Sequence, residues 1–155
     1  PKTLKISNLP NSTVELPNHP SNKMGTRKVT VEDSVFLSSE DVKDLKVGDQ
    51  LRLMGLGNVK ITSINSEIDA EFTGDDHDVN FMKLQWVSKK NVHELKILIP
   101  QQLFVNDKFN EESLEEIHVY TEPHYLELNN DEEIQFVRFG YCRKDSSKQA
   151  IFTHK

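Results

Sequence analysis

Cysteine is almost absent. The single residue Cys142 cannot close an intramolecular disulfide, so no cystine framework is expected, and a reducing, cytoplasmic setting suits the chain. There is no apolar run long enough to span a membrane and no secretory leader pattern, so the Asn11-Ser12-Thr13 sequon reads as accidental. A glycine-rich phosphate loop and a serine elbow are both missing. The six histidines (His19, His77, His93, His118, His124, His154) do not pair at metal-ligand spacing with one another or with Cys142. Asp75-Asp76-His77-Asp78 supplies oxygen donors without calcium-loop spacing or a distal glutamate, and reads as a solvated hairpin tip. Cys142 stands in an apolar strand context and reads as packed, not nucleophilic. With no acid/base pair in view, catalysis within these residues is not expected.

What is present is β-structure. Short alternating or β-rich runs lie at Lys28–Val31, Gln50–Met54, Val59–Ile64, Phe81–Val87, Leu95–Ile99, Ile117–Tyr120, Ile134–Phe139 and Ala150–Thr153. Turn-rich segments separate them, among them residues 8–11, 17–20, 55–58 and 73–76. Two short helices are expected. One is capped by Ser38/Ser39 and reaches Leu45, and the other covers Asn110–Glu116 with acids in its first turn. A chain of 155 residues can form one domain or two small ones.

The segment around Gly57 has an echo around Gly140, 83 residues later, running without a gap from Phe36/Val119 to Val59/Cys142. Leu45 falls on Leu128, Leu51 on Ile134, Leu53 on Phe136 and Leu56 on Phe139. Apolar on apolar at a fixed offset predicts two copies of one β-unit, hence two similar barrels instead of one large sheet.

The formal net charge is −6, but the charges are segregated. Residues 1–28 carry five basic groups against Glu15, and residues 135–155 carry five against Asp145. Residues 106–133 carry ten acids against Lys108. Binding follows the local field, so a basic face on an acidic protein is one reading, and solvated lysine-rich segments are the other. Gln135-Phe136-Val137-Arg138 poses the same choice. Gln and Arg form paired hydrogen bonds to base edges and phosphates, yet strand alternation puts them on opposite faces unless the strand ends or bulges after Val137. Arg27 and Lys28 follow a glycine turn into a strand, where they could meet RNA or merely guard a sheet edge.

Taken together, six segments in order resemble one family. Asn18-His19-Pro20-Ser21-Asn22-Lys23-Met24-Gly25-Thr26-Arg27-Lys28-Val29, Leu51-Arg52-Leu53-Met54-Gly55-Leu56-Gly57-Asn58-Val59, Leu84-Gln85-Trp86-Val87, Thr121-Glu122-Pro123, Gln135–Gly140 and the final Phe152-Thr153-His154-Lys155 resemble the anticodon-binding region of class I glutamyl- and glutaminyl-tRNA synthetases. The wording of the second and last segments is similar to the archaeal-type glutamyl enzyme. The resemblance implies an all-β fold of two six-stranded antiparallel β-barrels with short helices. The proximal barrel would be 1–40 plus 105–155 and the distal barrel 41–104, nested so that the two basic segments meet.

The resemblance also implies roles. Arg27 falls on an arginine that contacts the middle anticodon base in the glutaminyl enzyme. Gln135 and Arg138 fall on residues serving that base or its neighbours. Arg52 falls on an arginine near the first anticodon position, with Lys43 beside it. Asp44 stands where the glutaminyl enzyme reads a guanine with arginine, and Met54 replaces another arginine. A carboxylate suits cytosine N4, and the glutamate anticodon ends in cytosine. Lys28, with Lys2, Lys5 and Arg143, would contact phosphates. The partners implied are the anticodon loop of glutamate tRNA and a catalytic domain of the same parent chain. The HIGH-like and KMSKS-like ATP signatures are missing, so ATP and magnesium belong to that other domain and no cofactor is expected here. The glutaminyl enzyme's domain, or a non-catalytic β-barrel that binds protein, are the alternatives.

Overall fold

The structure, a computed structural model, describes residues 1–18 and 23–155. Its strands are β1 (Lys2–Ser7), β2 (Thr13–Pro17), β3 (Thr26–Thr30), β4 (Ser34–Leu37), β5 (Gln50–Leu53), β6 (Gly57–Ile64), β7 (Ile68–Gly74), β8 (Met82–Leu84), β9 (Val87–Ser88), β10 (His93–Pro100), β11 (Phe104–Val105), β12 (Lys108–Phe109), β13 (Leu114–Thr121), β14 (Glu133–Phe136), β15 (Gly140–Ser146) and β16 (Gln149–His154). A single turn of α-helix, α1 (Ser39–Val42), and a 3-10 turn, Pro123–Glu127, complete the described elements. The chain is therefore all-β, as its periodicity predicts. Among the described residues no helix is long and apolar enough to cross a membrane.

By its contacts the chain divides into Pro1–Asn91 and Val92–Lys155. In the first unit the sheet order is β8-β5-β6-β7-β1-β4-β9, with a separate β2–β3 hairpin. Alternation drives burial on β1, where Leu4 and Ile6 are buried while Lys5 and Ser7 are exposed. Central strand β6 carries Val59 and Ile61 into the same core, which also takes Leu51, Leu53, Leu84 and Trp86. Trp86 donates its indole N–H to the Met54 carbonyl at 2.9 Å. That anchored indole splits the strand expected over Phe81–Val87 into β8 and β9.

The second unit has the sheet order β13-β10-β16-β15-β14 and a small β11–β12 hairpin. Its fully buried cluster is small: Leu95, Ile97, Tyr125, Cys142 and Ala150, rimmed by Ile134, Phe136, Phe139 and Phe152.

The predicted duplication is written into the backbone. The order β5-β6-β7-β1-β4 has the same pairing senses as β14-β15-β16-β10-β13, including a parallel pair, β1–β7 in one and β10–β16 in the other. Register shifts at Asn58/Val59 and Ile61/Ser63 recur at Tyr141/Cys142 and Lys144/Ser146. Positive φ recurs at Gly48 and Asp131 (95° and 67°), at Gly55 and Arg138 (75° and 68°) and at Gly57 and Gly140 (136° and 145°). Hydrogen bonds recur as well: Gly48 N to Ile61 O and Asp131 N to Lys144 O are both 2.8 Å. Every pair is offset by the same 83 residues as Gly57 and Gly140. At those two glycines a Cβ would meet Phe72 Cε2 at 2.5 Å and the His154 carbonyl at 2.7 Å, respectively, so close approach excludes a side chain in both copies.

Three expectations need correction. The sheets hold seven and five strands and include parallel pairs β1–β7, β5–β8 and β10–β16, not six antiparallel strands each. The compact units are consecutive in sequence, whereas the nested division of 1–40 plus 105–155 around 41–104 was expected. The cause is β1, which pairs with β4 and β7 and so ties the first residues to the sheet that follows them; the two basic segments lie in different units. The helix expected over Asn110–Glu116 is a turn leading into β13. Asn110 Oδ1 accepts from Glu112 N at 3.1 Å, and the eight-residue pairing of β13 with β10 then outweighs local helix preference. The turn over residues 17–20 runs into His19–Asn22, which lie outside the described residues, as does His19 among the histidines.

Candidate nucleic-acid interface

Gln135 and Arg138 share the β14–β15 hairpin. Gln135 is exposed on β14, opposite Tyr141. The strand stops at Phe136, whose carbonyl accepts from Phe139 N at 2.9 Å. Arg138 sits in that turn with φ 68°. Strand alternation, which would have opposed Arg138 to Gln135, therefore ends before it reaches Arg138. Both side chains are exposed.

Arg27 and Lys28 lie on β3. Arg27 is half-buried and its Nη1 donates to the Pro17 carbonyl across the hairpin. Lys28 is exposed opposite Glu15, which also accepts from the Thr26 hydroxyl. Lys43 closes α1 and its Nζ lies 3.1 Å from Glu40 Oε2, while Asp44 beside it is exposed.

Arg52 on β5 is different. Its side chain is only 16% exposed, and its guanidinium donates to Asn58 Oδ1 at 3.0 Å, to the Asp75 carbonyl at 3.2 Å and to Asp75 Oδ1 at 3.0 Å. Asn58, itself buried, donates to the Asp76 carbonyl at 2.6 Å. Arg52 and Asn58 thus strap the acidic 75–76 segment to the sheet. Among the described residues no group of three or more His, Cys, Asp or Glu converges as a metal site would require.

Of the phosphate-contact candidates, Lys5 is paired with Glu67 at 2.5 Å and Arg143 with Asp131 at 3.3 Å. The hydrogen bond to Glu67 raises the Lys5 pKa, and the same bond lowers that of Glu67, which Lys89 also approaches at 3.6 Å. Lys2 and Lys28 are exposed.

Two family models match the chain, over residues 1–81 and 83–145, and both describe the anticodon-binding domain of class I tRNA synthetases (E and Q). The chain belongs to that family. The glutamate–tRNA ligase of Nitrosopumilus maritimus (strain SCM1) is 54% identical over 154 residues, covering 99% of this chain and 27% of that protein. The glutamate–tRNA ligase of Cenarchaeum symbiosum (strain A) is 41% identical over 154 residues, with the same coverage of 99% and 27%. That of Korarchaeum cryptofilum (strain OPF8) is 31% identical over 136 residues, covering 86% of this chain and 22% of that protein. The chain spans about a quarter of the length of the curated relatives it matches.

The seam between the two anticodon-binding matches, at residue 82, does not coincide with the seam between the compact units after Asn91, because β8 and β9 still complete the first sheet. Two further residues were given no role by motif reading, although His154 lies in the last of the family-like segments. Tyr141 and His154 are cross-strand partners on β15 and β16, with ring centroids 4.5 Å apart and planes within 10°. Cys142 is fully buried while Tyr141 beside it is only partly so, and the pair becomes visible through the register of β15 with β16.

Proposed function

We propose that this chain is the anticodon-reading part of a glutamate–tRNA ligase, acting on the anticodon loop of glutamate tRNA. The observation that carries the reading is 54% identity over 99% of the chain to a protein of that name. The geometry is compatible: exposed Gln135 and Arg138 on one hairpin, and Arg27 with Lys28 on another, offer paired donors and charge where unstacked loop bases are recognised.

In this reading Arg27, Gln135 and Arg138 serve the middle anticodon base and its neighbours. Exposed Asp44 accepts from cytosine N4 at the last anticodon base, with Lys43 beside it. Arg52 acts by holding the 75–76 segment in place, which is what its contacts do. Lys2 and Lys28 meet phosphates directly, whereas Lys5 and Arg143 first have to loosen Glu67 and Asp131. The catalytic domain of the same parent chain is the second partner. It binds ATP and magnesium and joins glutamate to the tRNA, so the present residues by themselves ligate nothing. The parent works in the cytoplasm.

A salt series tests the RNA-binding step. Affinity for glutamate tRNA is expected to fall steeply with added salt, with a log–log slope of several counterions. Affinity for RNA that is absent, or that does not respond to salt, would refute it.

A further inference from the structure

A solvent-facing row crosses three strands of the second unit. Gln135 on β14 stands opposite Tyr141 on β15, and Tyr141 stands opposite His154 on β16. The neighbouring row, Ile134–Cys142–Phe152, is the core-facing one, with Cys142 fully buried. The outward row is accordingly exposed at Gln135 and His154 and half-exposed at Tyr141.

The two rings of this row already form a π-stack, 4.5 Å between centroids and 10° between planes. Thr153 fixes it: the Thr153 hydroxyl donates to the Tyr141 carbonyl at 3.0 Å and lies 3.1 Å from His154 Nδ1. With the hydroxyl proton given to the carbonyl, Nδ1 of neutral His154 carries the ring proton and donates to Thr153, which leaves Nε2 as an acceptor. Among the described residues the row has no further strand partner beyond His154, because the pairing of β10 with β16 ends at Ile151. A third aromatic ring can therefore extend the column. The row at the same place in the first unit is built otherwise: Arg52 and Asn58 occupy the positions of Gln135 and Tyr141, and the 75–76 segment is strapped over them.

Outward aromatics on a sheet are how sheets bind single-stranded bases, because the ring supplies a stacking face for any base. We propose that the Tyr141–His154 pair is a stacking shelf for one unpaired base of the anticodon loop, which extends the column beyond His154. This rests on the anticodon-reading function proposed above and gives Tyr141 and His154 a stacking role within it.

The test is photo-crosslinking of the chain to an RNA hairpin of the glutamate anticodon stem and loop, with 5-iodouridine at one loop position at a time. That probe couples selectively to aromatic side chains stacked on it. The expected result is a crosslink from one loop position to Tyr141 or His154, mapped by mass spectrometry. Tyr141→Ala and His154→Ala should each weaken hairpin binding by roughly 5- to 150-fold, the range set by loss of one base–aromatic stack. Tyr141→Phe should retain both affinity and crosslink. If the parent chain binds the hairpin while both alanine variants bind equally well and the crosslinks lie elsewhere, the shelf is wrong and the anticodon-reading function survives. If the alanine variants lose only thermal stability, the pair is a staple between β15 and β16, which also overturns the shelf. If the parent chain does not bind the hairpin at all, shelf and function fall together.

Discussion

Lys144 Nζ stands 5.2 Å from the centroid of the Tyr125 ring, inside the second unit, where Lys144 is only 4% exposed. The ammonium also donates to the carbonyls of Leu126 and Leu128, at 3.1 Å and 2.5 Å, so it closes the 3-10 turn that Tyr125 belongs to. The Tyr125 ring also stacks on His93, 5.9 Å away at 18°. Ile61 holds the place of Lys144 in the first copy, where the surroundings are apolar. A small core has here replaced an aliphatic contact by a cation held between an aromatic face and two carbonyls.

Lys144→Met should therefore destabilise the second unit by roughly 2–4 kcal/mol, through loss of charge-assisted donors to the Leu126 and Leu128 carbonyls and of the cation–π contact. Hydrogen exchange of the second unit's strands at stepped urea concentrations reads this directly. A change within a few tenths of a kcal/mol would mean that water replaces the ammonium without loss.

Stability should fall on the alkaline side. Burial, with Asp145 and Cys142 nearby, pushes the Tyr125 phenol from 10.0 to about 12, and burial pushes the Cys142 thiol from 9.0 to about 11. Both groups keep their protons longer when folded than when unfolded. Their contribution is complete below pH 9 and is lost as pH rises from there to about 12. Thermal melts at stepped pH should decline across that window, and Cys142→Ala should flatten the lower part of the decline. Tyr125→Phe should flatten the upper part while lowering stability at neutral pH, because the phenol serves the Ser146 and Gln149 carbonyls at 3.0 Å and 2.7 Å. An unchanged melting temperature between pH 8 and pH 12 would contradict the burial argument.

Arg138 offers a way to separate folding from binding. It holds a left-handed φ of 68° at the position where the first copy has Gly55. Arg138→Gly should raise stability by about 1 kcal/mol by removing a side chain from that region, and should lower RNA affinity at the same time. Stability and affinity moving in the same direction would argue that Arg138 is only a turn residue.

Much of this was legible in the sequence, because a fixed offset and a period of two are physical signals. The echo of Gly57 in Gly140 pointed to two copies, and bulges, positive φ and turn hydrogen bonds all recur at that offset. Long-range pairing left no such trace. Nothing local to Lys2–Ser7 announces that it will run parallel to β7, and nothing local to Glu111–Glu116 announces that β10 will draw it into a strand. At the candidate site, residue types were legible and their engagements were not. Arg52 and Lys5 look alike as cations in the sequence, yet one straps a segment and the other is paired with Glu67. Tyr141 and His154 became visible as a pair only through the register of β15 with β16.

Replacing Arg27 by alanine should cost roughly 1–3 kcal/mol of RNA binding and relax discrimination at the anticodon position it serves, whereas Lys28→Ala should weaken all sequences evenly and shallow the salt slope by about one counterion. Arg52→Ala should act on the fold first, loosening the 75–76 segment in hydrogen exchange. Identical affinity and discrimination in the Arg27 variant would remove it from the readers.

The central claim is tested most directly by titrating the chain with glutamate tRNA beside the same tRNA carrying one altered anticodon base at a time, at fixed salt. Affinity should drop about five- to 150-fold per altered base, the equivalent of 1–3 kcal/mol each. Equal affinity for every anticodon would contradict the account and leave these residues with a basic surface but no reading function.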